Sequence, residues 1–393
     1  MLRTVVVVGA SLAGLRAIET LRSEGFDGRI DWVGEETHLP YDRPPLSKEL
    51  LRGEWCEDRL ALRRGYDDLK LEMHLGQRAR ALDVASRQVE LEDGTRLAFD
   101  GLIIATGARA RRLAATESLA SVYRLRTLED ARAIRAALDA RPRVAIIGAG
   151  FIGCEVAAAC RHLGLPVLVV ESAPAPCMRG LGRQIGERIA ALHREEGVDL
   201  RCAVDVRALE GARRVERVRL TDGSVEPADL VVVGIGAEPA TDWLVGSGLE
   251  LDDGVVCDAT CSTRVPGIVA AGDVARAYHP LYGRHLRMEH WTHAVEQGVT
   301  AARTLLHKES AQPLVSVPLV WSDQYDVRIQ LAGCTQPDDA LHLVDGSLDS
   351  RRFAAAYVRD GRVVGAVTFN DPRRLIQLRQ RIARGARVEE LLD

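Results

Sequence analysis

Residues 144–172, VAIIGAGFIGCEVAAACRHLGLPVLVVES, repeat a pattern that residues 5–36, VVVVGASLAGLRAIETLRSEGFDGRIDWVGEE, carry first. Each copy has a β-branched run, a G-x-[GS]-x-x-G turn, an alanine-rich amphipathic segment, a glycine-containing turn, a second apolar run and a glutamate. Residues of these types in this order predict a βαβ unit that binds a nucleotide. Because the unit occurs twice, the sequence predicts two dinucleotide sites.

The turn of the first copy, GASLAG, has a physical reason for each of its small residues. Gly9 makes the tight turn out of the strand, Ser11 keeps the backbone clear for a pyrophosphate, and Gly14 lets the helix pack close to its sheet. The phosphates then lie at the helix N-terminus. Glu35, about 20 residues further on, is placed to accept hydrogen bonds from a ribose diol.

In the second copy, GAGFIG, the same roles fall to Gly148, Gly150, Gly153 and Glu171. NADPH sites usually carry arginine or lysine near the end of the second strand to meet the 2′-phosphate. The strand here ends in an acid, which would repel that phosphate. The second copy therefore favours NADH, while two arginines further on, Arg179 and Arg183, leave NADPH open.

A further repeat follows each nucleotide unit. Residues 89–110 and 218–239 both have a strand, an Asp-Gly turn signal, a strand, and a buried apolar strand that ends in a glycine turn. A third glycine element, residues 265–277, is an apolar strand that ends in Ala-Gly-Asp. Asp273 either caps a following helix or hydrogen-bonds the ribityl chain of a flavin.

Composition limits the classes of protein to consider. A chain of 393 residues favours two or three domains, and 47% hydrophobic with 27% charged residues is typical of a soluble globular protein. The formal charge of −4 gives no reason to expect binding to nucleic acid or to a membrane. Eight scattered cysteines without zinc-type spacing predict no metal site and reduced thiols in the cytoplasm.

The combination resembles the glutathione-reductase-like fold of the pyridine-nucleotide:disulfide oxidoreductases. More narrowly, it resembles the NADH-dependent ferredoxin reductases of bacterial oxygenase and cytochrome P450 systems, together with rubredoxin reductases and apoptosis-inducing-factor-like proteins. The stretches that carry the resemblance include GASLAG, VGEETHLPYDRPPLSKELLRG, LIIATGARARRL, GAGFIGCEVAA, AGDVA and VPLVWSDQYDVRIQLAG. It implies an α/β fold with two Rossmann-like nucleotide-binding domains and a C-terminal α+β domain.

The resemblance also implies the ligands and their contacts. It places FAD on the first fingerprint and NADH on the second. The FAD contacts that it implies are Gly9, Ser11, Ala13, Gly14, Glu35, Arg43, Lys48, Ala79, Thr106, Gly107, Arg126, Asp273 and Trp291. The NADH contacts that it implies are Gly148, Gly150, Phe151, Ile152, Gly153, Glu155, Glu171, Gly236 and Glu289.

Residues 39–48, LPYDRPPLSK, occupy the place where disulfide reductases of this fold carry reactive cysteines. The resemblance therefore implies that electrons leave the flavin without a redox-active disulfide. The two prolines are expected to stiffen the approach to a helix that begins near Leu46 or Ser47, with Lys48 in its first turn. A fixed ammonium group stabilises the negative charge of a reduced flavin. The resemblance implies that Lys48 pairs with Glu155 beside the reactive edge, as the catalytic pair.

The expected domains are a discontinuous FAD-binding domain (1–109 and 239–317), an NAD-binding domain (110–238) and a C-terminal reductase domain (318–393). Four residues are candidates for the flavin edge or for partner docking, namely Trp321, Arg111, Arg284 and Arg287. A basic rim of this kind would steer an acidic ferredoxin. A core tryptophan and a solvated basic face are equally compatible with the sequence.

These features together predict an FAD-dependent reductase. It would pass electrons from NADH through the flavin, one at a time, to a [2Fe-2S] ferredoxin that supplies a cytochrome P450 or an oxygenase. Two alternatives stay open. One is an NADH-dependent reductase of a small-molecule one-electron acceptor, and the other is an apoptosis-inducing-factor-like binding protein that senses NADH.

Overall fold

The computed structural model describes residues 2–113 and 119–391, except for the side chain of residue 309. The chain divides into two compact units. Unit 1 contains the described residues up to Asp42, Leu60–Arg109 and Glu238–Pro318. Unit 2 contains Arg43–Arg59, the described part of Ala110–Ala237, and the residues from Leu319 onward. Each unit therefore carries one of the two fingerprints.

The α-helices of the described chain are α1 (Leu12–Ser23), α2 (Glu49–Arg52), α3 (Leu128–Leu138), α4 (Phe151–His162), α5 (Met178–Glu195), α6 (Trp291–His307) and α7 (Pro372–Ala383). Strands of its first half are β1 (Thr4–Val8), β2 (Arg29–Gly34), β3 (Glu72–Leu75), β4 (Ala79–Asp83), β5 (Gln88–Leu91), β6 (Arg96–Ala98), β7 (Gly101–Ile104), β8 (Ala108–Ala110), β9 (Val122–Arg124), β10 (Val144–Ile147), β11 (Val167–Glu171) and β12 (Asp199–Cys202). Later strands are β13 (Val206–Glu210), β14 (Arg217–Leu220), β15 (Val225–Pro227), β16 (Leu230–Val233), β17 (Ala237–Pro239), β18 (Val255–Cys257), β19 (Ile268–Ala270), β20 (Ala275–His279), β21 (Arg284–Arg287), β22 (Leu319–Gln324), β23 (Val327–Gly333), β24 (Ala340–Gly346), β25 (Phe353–Arg359) and β26 (Arg362–Phe369).

Unit 1 is built on a parallel five-stranded sheet with the strand order β19-β7-β1-β2-β3. The central strand, β1, lies between β7 and β2, with Val6 opposite Leu102 on one side and Asp31 on the other. Its valines are buried because each face of the sheet packs against an apolar cluster. This burial explains why β1 has a continuous apolar run rather than an alternating one.

Unit 2 contains a second parallel sheet of five strands, in the order β12-β11-β10-β16-β9. An antiparallel sheet of five strands follows near the C-terminus, in the order β22-β23-β26-β25-β24. One apolar cluster joins the two sheets, because Phe353 and Phe369 belong to the same buried set as Ile146 and Ile185. The C-terminal sheet is therefore packed directly against the second nucleotide unit.

The second sequence repeat corresponds to two small antiparallel sheets. Each unit contains one of these sheets. The sheet in unit 1 comprises β4, β5 and β6, and the sheet in unit 2 comprises β13, β14 and β15. The turn glycines, Gly94 and Gly223, both have positive φ, at 87° and 92°. Glycine adopts that conformation without steric cost, which is why each hairpin has an Asp-Gly turn.

The loop with the paired prolines differs in detail from the expectation. Instead of one helix beginning near residue 46, the structure has a 3-10 turn, Pro44–Ser47, and then α2 from Glu49. Lys48 lies between the two with φ −126° and ψ −99°, which is outside the helical region. The three predicted domain ranges stay a prediction, since the structure separates two units rather than testing three. No helix within the described residues is long and apolar enough to cross a membrane.

Candidate functional site

The first fingerprint in unit 1 tolerates only glycine at two of its positions. Gly9 has φ +128°, and a Cβ atom there would lie 2.0 Å from the carbonyl oxygen of Ala105. A Cβ atom on Gly14 would lie 2.1 Å from the carbonyl oxygen of Gly9. Ser11 is the N-cap residue of α1, and Ala13 is buried in its first turn. The turn therefore brings the start of α1 close to the end of β1, as a phosphate site requires.

Glu35 lies directly after β2 with its side chain 56% exposed. Its carboxylate is 3.4 Å from Arg109 and 4.0 Å from Arg78. Both arginines also reach Asp242. A cavity of about 390 Å³ lies beside this group and is lined by Arg78, Ala79, Arg80, Glu92, Asp242 and Trp243. Ala79 is thus at a cavity large enough for part of a nucleotide.

The other predicted contacts in unit 1 come from three chain segments. Gly272 has φ +78°, and its added Cβ would lie 3.0 Å from Cβ of Ala13, so the turn that carries Asp273 meets the first fingerprint. Thr106 donates from its hydroxyl to the carbonyl oxygen of Ala240 at 2.9 Å. Gly107, the next residue in the loop between β7 and β8, adopts φ +69°.

Trp291 is held in a fixed orientation. Its indole Nε1 donates to Oδ1 of Asp42 at 2.8 Å. Asp42 belongs to the LPYDRPPLSK loop, so that loop orients the aromatic ring that the resemblance placed against the flavin. His290 precedes it as the N-cap residue of α6, and its Nδ1 is buried with no hydrogen-bond partner among the described residues. Burial lowers the pKa of His290 to about 4, against an opposing effect of Asp273.

These features allow a test of whether a flavin nucleotide fits unit 1. The glycine turn leaves backbone amides of α1 available to an anion, and the cavity beside Glu35 has room for an adenosine group. The unsatisfied His290 nitrogen at the start of α6 is a polar group that a bound ligand would satisfy. The residues present therefore fit a flavin dinucleotide.

The second fingerprint repeats the same geometry in unit 2. Gly148 has φ +98°, and its added Cβ would lie 2.4 Å from the carbonyl oxygen of Gly234. A Cβ on Gly153 would lie 2.1 Å from the carbonyl oxygen of Gly148. Gly150 differs, because an added Cβ there would meet nothing within 4 Å. The open space at Gly150 fits a pyrophosphate group at the N-terminus of α4, whose first two residues are Phe151 and Ile152.

Glu171, at the end of β11, faces the second fingerprint. Its carboxylate accepts hydrogen bonds from the backbone amide of Ala149 at 2.6 Å and from that of Ala173 at 2.8 Å. Arg183, one of the two arginines that left NADPH open, forms an ion pair with Glu187 at 2.7 Å. The structure thus places a carboxylate at the end of β11, beside the second fingerprint.

Lys48 and Glu155 are brought together within unit 2. The Lys48 ammonium is 2.7 Å from Oε2 of Glu155, and both side chains are almost completely buried, at 6% and 2% exposed. Ser47 also donates to Oε2, and Ser322 donates to Oε1 at 2.8 Å. The carboxylate therefore has three donors from two different segments of the chain, the proline loop and β22. A buried charge pair of this kind needs such additional hydrogen bonds.

Further polar side chains are linked to Ser322 by successive hydrogen bonds. The Gln324 amide donates to the Ser322 hydroxyl at 3.1 Å, and His193 Nε2 is 3.0 Å from Gln324 Oε1. The Tyr325 hydroxyl is 2.9 Å from His193 Nδ1. The sequence analysis did not identify Ser322, Gln324, His193 or Tyr325 as functional. One signal was available, since both inward-facing positions in WSDQ are polar.

The remaining predicted residues occupy separate places. In unit 2, Arg43 donates to the carbonyl oxygen of Arg126 at 2.7 Å, and Arg111 donates to that of Ala237 at 3.1 Å, next to Gly236. Gly236 itself has φ +101°. Trp321 is half-buried on β22.

In unit 1, Arg284 is exposed on β21. Arg287 is only 10% exposed and pairs with Glu289 at 2.6 Å and with Asp253 at 3.2 Å. Its positive charge is therefore largely neutralised within the unit. Glu289 is correspondingly engaged by Arg287 in this structure.

Burial makes several of the thiols unreactive. All eight cysteines lie in the described part of the chain, and none of them forms a disulfide there. A hydrogen bond with Cys177 and burial raise the pKa of Cys154, and burial raises the pKa of Cys160 and that of Cys257 to about 12. These buried thiols stay protonated and are poor nucleophiles. Among the described residues there is also no group of three or more His, Cys, Asp or Glu side chains that could hold a metal ion.

Comparison with known proteins gives two family matches. Residues 3–298 match the pyridine nucleotide-disulphide oxidoreductase family, and residues 319–392 match the reductase C-terminal family. The chain is 38% identical over 385 residues to the ferredoxin–NAD(+) reductase component of an anthranilate 1,2-dioxygenase system from Burkholderia cepacia. That alignment covers 97% of this chain and 94% of the relative.

Two solved structures are similar along nearly the whole chain. The putidaredoxin reductase in a covalent complex with putidaredoxin is 34% identical, with a TM-score of 0.94 over 100% of this chain and 96% of that one. The ferredoxin reductase for the CYP199A2 system from Rhodopseudomonas palustris is 33% identical, with a TM-score of 0.94 over 99% and 97%. The predicted fold class and family are thereby confirmed. The chain is an oxidoreductase that belongs to the pyridine nucleotide-disulphide oxidoreductase family, among relatives that are ferredoxin–NAD(+) reductases.

Proposed function

We propose that this protein is an FAD-containing, NADH-dependent reductase of a [2Fe-2S] ferredoxin that supplies an oxygenase or a cytochrome P450. The observation that carries the proposal is the buried Lys48–Glu155 pair on the second nucleotide unit, at 2.7 Å. A disulfide reductase of this fold needs reactive thiols, whereas here a charge pair follows the proline loop. The ferredoxin–NAD(+) reductase of the anthranilate dioxygenase system, similar over 97% of this chain, supports the same acceptor.

The flavin supplies the redox chemistry, because it accepts a hydride and returns electrons singly. The chain supplies binding and charge. The first fingerprint takes the flavin pyrophosphate at the N-terminus of α1, and Glu35 accepts from a ribose hydroxyl. Asp42 holds the Trp291 indole in one orientation. Lys48 provides a fixed positive charge for the reduced ring, and Glu155 fixes the position of that charge.

The second fingerprint binds the nicotinamide nucleotide. Gly150 leaves room for its pyrophosphate, and Glu171 accepts from the adenosine ribose hydroxyls. The Glu171 carboxylate repels a 2′-phosphate, so NADH is preferred to NADPH. Arg111, Arg284, Arg287 and Trp321 are proposed to contribute to the flavin edge or to partner docking, with Arg287 the weakest contributor because its charge is paired.

The cytoplasm is the proposed location. Its support is the presence of eight cysteines in the described chain, with no disulfide among them. Free thiols of this number are typical of a reducing compartment.

The experiment that tests the function couples the purified protein to cytochrome c through a ferredoxin. Heat-released flavin is first identified by chromatography, and FAD rather than FMN is expected. NADH-driven cytochrome c reduction is then measured with and without added [2Fe-2S] ferredoxin. Strong stimulation by ferredoxin supports the proposal. If the flavin is reduced rapidly but no ferredoxin changes the rate of cytochrome c reduction, the protein would instead be a reductase of a small-molecule acceptor.

A further inference from the structure

A single row of hydrogen bonds runs from the Glu155 carboxylate to Tyr325. Its members are buried side chains of unit 2, apart from the half-buried Tyr325. The successive contacts are Glu155 to Ser322 at 2.8 Å, Ser322 to Gln324 at 3.1 Å, Gln324 to His193 at 3.0 Å and His193 to Tyr325 at 2.9 Å. They join residues that are up to 167 positions apart in the chain.

The charge of Glu155 determines the direction of every bond in this row. An ionised carboxylate has no hydrogen to give, so the Ser322 hydroxyl must donate to it. The Ser322 oxygen then accepts from the Gln324 amide nitrogen, which turns Oε1 of Gln324 toward His193.

The position of the hydrogen on the His193 ring follows in the same way. Oε1 of Gln324 can only accept, so His193 carries its hydrogen on Nε2. Its Nδ1 then accepts from the Tyr325 hydroxyl. In a neutral His193 ring, all donors of the row therefore point toward the carboxylate. Burial lowers the pKa of His193 to about 4, which keeps the ring neutral near pH 7.

Packing alone does not account for these residues. Ser322 and Gln324 face inward on β22 and are completely buried, while Trp321 and Asp323 face the other side of the strand. Burial of a hydroxyl and an amide costs free energy unless both are hydrogen-bonded, and apolar residues would serve a core position better. The only charge that the row reaches among these contacts is the Glu155 carboxylate.

We propose that Ser322 and Gln324 are positioning residues that hold the Glu155 carboxylate in the orientation in which it forms its ion pair with Lys48. The inference rests on the proposed function of the Lys48–Glu155 pair in flavin reduction. Oε2 of Glu155 is engaged by Lys48 and Ser47, so Oε1 is the atom through which the C-terminal sheet fixes the carboxylate plane. His193, which is hydrogen-bonded to Tyr325, holds the side chain of Gln324 in place.

The test compares Ser322→Ala and Gln324→Met with a matched control, Thr368→Val. Thr368 is also completely buried on the C-terminal sheet, and its hydroxyl has no hydrogen-bond partner among the described residues. The holoenzyme is reduced by NADH in an anaerobic stopped-flow instrument, which gives the limiting rate and the NADH dissociation constant. The midpoint potential of the bound flavin is measured on the same variants.

We expect Ser322→Ala to lower the limiting rate about tenfold, with less than a twofold change in the dissociation constant, since loss of orientation acts on the reacting geometry. Gln324→Met acts in the same direction more weakly, and Thr368→Val leaves both quantities unchanged. The midpoint potential becomes more negative in Ser322→Ala, because a less firmly held Lys48 stabilises the reduced flavin less. If Ser322→Ala does not fold, Gln324→Met carries the same comparison.

A double-mutant cycle with Glu155→Gln separates positioning from structural support. In the Glu155→Gln background, Ser322→Ala should change neither the limiting rate nor the potential, because there is no carboxylate left to orient. Equal effects of Ser322→Ala in both backgrounds, or an effect no larger than that of Thr368→Val, would overturn the proposal. If Glu155→Gln itself leaves the rate unchanged, the role of the pair in the proposed function fails, and the positioning proposal fails with it.

Discussion

The two nucleotide units share a backbone pattern and differ in what lies two residues after the last fingerprint glycine. In unit 1 that residue is Arg16, whose side chain is 31% exposed and pairs with Glu19 on the surface of α1. In unit 2 it is Glu155, which is 2% exposed and holds the buried Lys48. The same helical position therefore carries a solvated charge in one copy and a buried charge pair in the other.

The acids after the second strands differ in a similar way. Glu35 is 56% exposed and is surrounded by Arg78 and Arg109, whereas Glu171 accepts from two backbone amides beside its own fingerprint. Arginines beside Glu35 make the first site tolerant of additional negative charge. At the second site the carboxylate accepts from backbone amides instead, so we expect an additional negative charge to be repelled there. The same backbone pattern thus occurs twice, and we propose that single side chains decide which nucleotide each copy binds.

The largest expected difference between the copies comes from the buried pair. Lys48→Met leaves the Glu155 carboxylate buried without its counter-charge, which should cost about 3–5 kcal/mol of unfolding free energy. Arg16→Met removes a partly exposed i,i+3 pair and should cost at most about 0.5 kcal/mol. Urea unfolding of both variants measures the contrast. Similar losses in the two would break the comparison.

The fingerprint glycines give the next largest effect. Gly9→Ala and Gly148→Ala should each cost about 2–4 kcal/mol, because both residues have positive φ and their Cβ atoms would overlap a carbonyl oxygen. The functional losses should differ. Gly9→Ala should lose its flavin, whereas Gly148→Ala should stay yellow and lose the reduction of its flavin by NADH. Absorbance spectra with and without NADH check this. Gly150→Ala is the stability control, since its Cβ meets nothing within 4 Å.

The pH dependence of stability should reveal His193. Burial lowers its folded pKa to about 4 from an ordinary value of 6.5, so below pH 6.5 the unfolded chain takes up a proton that the folded protein resists. Stability that is fully present above pH 6.5 is therefore lost as the pH falls toward 4. Between pH 6.5 and pH 5 the loss is about 2 kcal/mol.

A His193→Gln variant should lack this part of the slope. Burial also lowers the pKa of three other histidines, to about 4 for His290, to about 3 for His293 and in the same direction for His279, and their effect cancels in the difference between the two proteins. Unfolding free energies of both proteins at several pH values provide the measurement. Parallel curves for wild type and variant would show that the pKa of His193 is not lowered in the folded state.

The smallest predicted effect concerns the choice of nucleotide. Glu171→Ala should narrow the preference for NADH over NADPH about tenfold, or about 1.4 kcal/mol, because the charge that repels the 2′-phosphate is gone. Glu35→Ala should leave the preference unchanged. The ratio of kcat/KM values for the two nucleotides is the readout. A larger change in Glu35→Ala would mean that the two sites had been assigned in the wrong order.

The fold was readable from the sequence because its signals are local. Each fingerprint lies within about thirty residues of its own strands and helix, and the positive φ of Gly9 and Gly148 follows from a turn whose pattern is visible in the letters. The resemblance named Lys48 and Glu155 as a pair, although they are 107 residues apart, and the structure has them in contact. Periodicity alone could not have paired them.

The residues that were missed depend on long-range contacts. Ser322 and Gln324 alternate with Trp321 and Asp323, and a strand with polar residues on both faces resembles a solvent-exposed edge. Their partners, Glu155 and His193, lie 167 and 131 residues away. The start of α2 was misplaced for a different reason, because prolines at residues 44 and 45 favour a 3-10 turn before the helix begins.

The most direct test of the central claim is anaerobic reduction of the bound flavin in the wild-type protein, without any ferredoxin. We propose that the first copy binds FAD and the second binds NADH, and that Lys48 and Glu155 take part in flavin reduction. One equivalent of NADH should bleach one equivalent of flavin, and NADPH at the same concentration should act at least about tenfold more slowly. Failure of both nucleotides to bleach the flavin, or faster bleaching by NADPH, would contradict the account.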